Sequence, residues 1–95
     1  MKTVDVDELE KAMNNGAKII DVRESDEYAN GHVPTAINIP LSTLEERYRE
    51  IEDGSYIICQ SGMRSMNASQ FLEAKGLKVI NVKGGTLAWK ASLSF

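Results

Sequence analysis

Ninety-five residues, 42% hydrophobic and 26% charged, suffice for a single folded domain and are too balanced for a disordered tail. A net charge of -3, from 11 basic and 14 acidic residues, argues against a general nucleic-acid binder, which needs a clustered basic face. No apolar run approaches the roughly 20 residues of a membrane span. One Cys and one His leave no internal disulfide, and neither a metal nor a cofactor is expected. The start, Met1-Lys2-Thr3-Val4-Asp5-Val6-Asp7, lacks a signal-peptide core, and with an unpaired Cys this points to a reducing cytoplasm.

In chain order, Asp5-x-x-Glu8 has the form of a capping box, and Val6, Leu9, Ala12 and Met13 share the helical face that follows it, up to Gly16. Lys18 to Val22 is a short apolar strand. Ser25 is placed to cap a short helix running through Tyr28 to Gly31, and Ala36 to Ile39 forms the next strand, closed by Pro40. Ser42-x-x-Glu45 has the form of a second capping box, with Leu41, Leu44, Tyr48 and Ile51 continuing a helical face. Asp53-Gly54 turns the chain into a strand over Ser55 to Cys59. A helix carrying Ala68, Phe71 and Leu72 then runs to Gly76, Lys78 to Val82 is a strand, and Gly84-Gly85 leads into a short helix holding Leu87, Ala88 and Trp89.

Strands alternating with helices imply right-handed parallel crossovers, and strands apolar on both faces (Ile19, Ile20; Ile57, Ile58) imply helices on both sides of the sheet. The expected class is α/β with a mostly parallel sheet. Ligands bind beyond the carboxyl ends of such strands. That edge should hold Asp21 to Arg23, Asn38 to Ser42, Cys59 to Ser65 and Asn81 to Gly85; Gly31-His32-Val33-Pro34, which precedes a strand, is expected at the opposite edge.

The loop Cys59-Gln60-Ser61-Gly62-Met63-Arg64-Ser65 joins a strand end to a helix start. A short polar loop with a central Gly can turn its amides inward and, with the helix terminus, make a concave anion site. Arg64 adds a permanent charge. A thiol there should lose its proton more readily than usual, which makes Cys59 a candidate nucleophile. A lone Cys at the end of an apolar strand also suits a plain core position, but these polar neighbours are poor core filler.

The chain resembles the rhodanese-like, single-domain thiosulfate sulfurtransferase family. The matching pieces are Ile20-Asp21-Val22-Arg23-Glu24, Glu27-Tyr28, Gly31 to Pro40, Tyr56 to Cys59 with the loop Gln60 to Ser65, Val82 to Gly85, and Ala88-Trp89. They run in the family's order along nearly the whole chain. Thr35 stands where the family usually has Gly, away from the loop. The resemblance implies a five-stranded, mostly parallel sheet with helices on both faces. It also implies that Cys59 takes up sulfane sulfur as a persulfide, held by the amides of Gln60, Ser61, Gly62, Met63, Arg64 and Ser65, with Arg64 helping to bind an anionic donor.

The implied donor is a small sulfur-containing anion such as thiosulfate, or a persulfide; the acceptor is a thiol, cyanide or a protein. Two alternatives accompany this reading: a non-enzymatic delivery or docking module, and a related phosphatase or arsenate reductase. In those relatives five residues separate Cys from Arg; here four do, and the smaller ring suits one sulfur atom better than a tetrahedral oxyanion. His32 reads as structural, Asp21 with Arg23 as an ion pair, Trp89 as packing, and Glu45 to Glu50 as solvated helix surface. Ser61 and Ser65 are possible donors to the sulfur, and Met63 is either its shield or exposed filler.

Overall fold

Strands Lys2–Val4 (β1), Ile19–Asp21 (β2), Ile37–Asn38 (β3), Tyr56–Ile58 (β4) and Ile80–Val82 (β5) form one parallel sheet in the computed structural model, which describes residues 1–95. Their spatial order is β1-β5-β4-β2-β3. Four of these strands lie within the runs expected from the sequence. β1 has only Val4 buried, too little apolar pattern to announce a strand, and it is held by pairing with β5.

Helices cover both faces. Val6–Asn14 (α1) begins at the expected box: the Asp5 carboxylate accepts from the Glu8 amide at 2.9 Å. It buries Val6 and Leu9 with Val33, Ile58, Val82 and Trp89 on one side of the sheet. Leu44–Arg47 (α3) and Met63–Ala74 (α4) cover the other, where Leu44, Ala68 and Leu72 meet Ile20, Val22 and Ile57. Ser25–Ala29 (α2) buries nothing fully and lies outside these two cores; Gly85–Ala88 (α5) follows β5.

Three local expectations are corrected. The box at Ser42 and Glu45 does not form, because the Ser42 hydroxyl donates to Glu24 Oε1 at 2.9 Å and Thr43 turns back onto the Pro40 carbonyl. The segment is instead a tight 3₁₀ turn at Leu41–Thr43, α3, and another 3₁₀ turn at Tyr48–Glu50. Ser25 opens α2 and Glu24 occupies the cap position. Gly31 lies at the ligand-binding edge, since its carbonyl accepts from Arg23 at 2.8 Å; only from there does the chain descend to β3.

Thr35 adopts φ 72°, the one residue other than glycine in left-handed conformation. A β-branched side chain is strained there. Thr35→Gly should therefore raise stability by about 1 kcal/mol in urea unfolding, the relief of strain being partly offset by a floppier unfolded chain. An unchanged or lower midpoint would show that the turn carries no strain.

Candidate functional site

The connection from β2 leads outward to β3, whereas the connection from β4 leads the other way to β5. The chain thus changes direction between β2 and β4, where open α/β sheets leave a crevice beyond the strand ends. Asp21 ends β2, and Cys59 directly follows β4. The loop Cys59 to Gly62 fills the crevice, and Met63, Arg64 and Ser65 form the first turn of α4.

Cys59 is only 1% exposed and touches the apolar core on one side. Its sulfur nonetheless faces polar groups. The Gly62 amide donates to Sγ at 3.0 Å, and the amides of Ser61 and Ser65 lie near enough to favour its anion. The Ser65 hydroxyl lies within reach of both the sulfur and the Gly62 carbonyl, the latter at 3.0 Å, and its one proton serves one of them at a time. Burial pushes the thiol up; the Ser65 hydroxyl and the amides of Ser65, Gly62 and Ser61 outweigh it and hold the thiol below its ordinary value. The arrangement is suited to an anionic sulfur.

The turn after β5 holds this loop in place. The Cys59 carbonyl accepts from the Thr86 amide at 2.9 Å and the Thr86 hydroxyl at 3.1 Å, and the Gln60 carbonyl from the Leu87 amide at 3.0 Å. With the carbonyls drawn towards α5, the loop amides are free to turn to the sulfur. This docking needs backbone at close range. A Cβ on Gly85 would stand 2.6 Å from the Cys59 oxygen and closer still to that of Gln60. Gly62, at φ 109°, lies against Gly84, at φ 82°.

Beside the loop, Asp21 and Arg23 are both buried and form the expected ion pair, 3.0 Å between Nη2 and Oδ2. The pair also reaches the loop, because Arg23 Nη1 donates to Gln60 Oε1 at 3.0 Å. Arg64 is not free to face the sulfur. Its Nη1 and Nη2 donate to the two carboxylate oxygens of Glu27, at 2.7 and 2.8 Å. The Arg64 hydrogen bonds hold the Glu27 carboxyl down at about 2. Glu27 is 37 residues from Arg64 in sequence, so no spacing rule could pair them.

His32 stacks on the Tyr28 ring with centroids 3.6 Å apart, and its Nδ1 lies 2.9 Å from the Tyr28 carbonyl oxygen; neither contact involves Cys59. Trp89 is buried and donates to the Ser92 carbonyl, a packing role as expected. Met63 is 76% exposed and Ser61 is exposed, both on the outer surface. A cleft of about 430 Å³ adjoins the loop, lined among others by Arg23, Glu27, Gln60, Thr86, Leu87 and Leu93.

Residues 5–92 match the family described as Rhodanese-like domain. The chain belongs to that family. Among curated relatives of this rhodanese-like chain, YtwF of Bacillus subtilis, named as a candidate sulfurtransferase, is 43% identical over 76% of this chain and 72% of its own length. Thiosulfate sulfurtransferase 18 of Arabidopsis thaliana is 36% identical over 92% of this chain and 76% of its own. A rhodanese-like domain protein from Staphylococcus aureus superposes with a TM-score of 0.93 at 34% identity, covering 100% of this chain and 98% of that one. These relatives support a sulfur-transfer role for the rhodanese-like fold found here. No helix is long and apolar enough to cross a membrane.

Proposed function

We propose that this chain is a sulfurtransferase that carries sulfane sulfur as a persulfide on Cys59, with the loop Gln60, Ser61, Gly62, Met63, Arg64 and Ser65 as its cradle. The observation that carries the reading is the set of donors converging on the buried Cys59 sulfur. The thiolate attacks the outer sulfur of a donor such as thiosulfate. A sulfur–sulfur bond forms to Cys59 as the donor's own breaks, and sulfite leaves with the electron pair. A persulfide donor reacts in the same way and releases a thiolate. An acceptor (cyanide, a small thiol or a protein thiol) then attacks the outer sulfur and restores the Cys59 thiolate. No general base is required, because each attacking and leaving group is already an anion: a thiolate, cyanide or sulfite. The inward amides stabilise the terminal sulfur as they do the thiolate.

Cys59 is the only cysteine, so no internal disulfide competes with hand-over to the acceptor. Intact-mass measurement after exposure to thiosulfate or a small persulfide should show a gain of about 32 Da that cyanide removes. Cys59→Ala should gain nothing. Equal loading of that variant, or efficient hydrolysis of an aryl phosphate or reduction of arsenate in place of sulfur loading, would overturn the assignment.

A further inference from the structure

We propose that Glu27 sets the donor preference of the site: by occupying both arms of the Arg64 fork, it disfavours oxyanion-bearing donors and leaves persulfides without an oxyanion as the better substrates. The inference rests on the sulfur-transfer reading above and names its donor class.

The Cys59 sulfur lies on the floor of a narrow loop, so only the outer sulfur of a donor comes close to it, and the rest of the donor stays at the rim. For thiosulfate the rest is a sulfonate. Two arginines stand near that rim, and both are engaged. Arg23 is spent on buried Asp21, Gln60 and the Gly31 carbonyl. Arg64, about a third exposed, presents one donor to each oxygen of Glu27. A sulfonate that reached Arg64 would have to break two charge-assisted hydrogen bonds and then sit beside the released carboxylate. Glu27, unlike Arg64, lines the cleft next to the loop, so a dianion arriving there meets the carboxylate side of the pair. Because Glu27 holds its proton only near about pH 2, it stays ionised across the working range. A persulfide whose organic end carries no acid group meets no such requirement.

The test compares kcat/KM for thiosulfate with that for the persulfide of 2-mercaptoethanol, with cyanide as acceptor. Glu27→Gln should raise the thiosulfate-to-persulfide ratio roughly fivefold, mainly through a lower KM for thiosulfate. Glu27→Asp, which keeps the charge, should leave the ratio near that of the parent. Adding Arg64→Ala to Glu27→Gln should abolish the gain, because the gain runs through the freed guanidinium. An unmoved ratio in Glu27→Gln, a parallel change with both donors, or a gain that survives loss of Arg64 would each overturn the proposal. If Cys59-dependent loading persists in these cases, only the role of Glu27 fails; if Cys59→Ala still loads, the sulfur-transfer reading itself fails.

Discussion

Gly85→Ala should lower the rate of sulfur loading at Cys59 by about 100-fold, the scale of loss when a reacting group is displaced by an ångström. The substituted Cβ would fall 2.6 Å from the Cys59 carbonyl oxygen, well inside van der Waals contact. Relief requires α5 and the loop to separate, which breaks the hydrogen bonds from Thr86 and Leu87 to the loop carbonyls. Once released, those carbonyls can rotate, and the Gly62 and Ser61 amides turn away from the sulfur. Stability should fall too, by about 1–2 kcal/mol from the left-handed backbone and about 1–3 kcal/mol from overpacking. Gly76→Ala is the control: its φ is +88° and nothing lies within 4 Å of the added Cβ. That variant should lose only the backbone share and keep its loading rate. Equal loading by Gly85→Ala and the parent would mean that docking on α5 does not shape the loop.

Asp21→Asn is expected to destabilise the fold by about 3–5 kcal/mol, since it strands the Arg23 guanidinium in the interior without its counter-charge. The Asp21 oxygens accept from Arg23 Nε at 3.1 Å, from Nη2 at 3.0 Å and from the Arg23 amide at 2.9 Å, and Asp21 itself is fully buried. Domains of this kind are stable by about 5–15 kcal/mol in total, so the loss is a large part of the whole and should appear as a marked fall in melting temperature. The double variant Asp21→Leu with Arg23→Met should recover much of the stability, because no charge is left unpaired. It should not recover full loading, since Gln60 and the Gly31 carbonyl lose their donor. A single variant within 1 kcal/mol of the parent would show that water reaches the pair.

The α/β class and the position of Cys59 were legible in the sequence because they depend on local signals. Apolar triplets such as Tyr56-Ile57-Ile58 mark strands, Asp5 with Glu8 marks a helix start, and a polar loop at a strand end marks the ligand edge. What was hidden depends on distant partners. Arg64 looks like a free cation along the chain, and only the fold brings Glu27 to it. Ser42 has the spacing of a capping residue, yet Glu24, across the fold, takes its hydroxyl. Gly85 reads as one more turn glycine until the Cys59 and Gln60 carbonyls are seen pressed against it. Gly31 precedes a strand yet lies at the ligand edge, because a segment that leads into a strand can begin at the far end of the molecule and travel its length.

The contact between Gly62 and Gly84 limits how this fold can change its chemistry. A Cβ on Gly62 would meet the Gly84 nitrogen at 3.2 Å, so the two turns fit like meshed teeth. An extra residue in the sulfur loop cannot push inward against that neighbour and must bulge towards solvent. A bore wide enough for a bulkier anion therefore has to open outward, on the side of the loop away from Gly84.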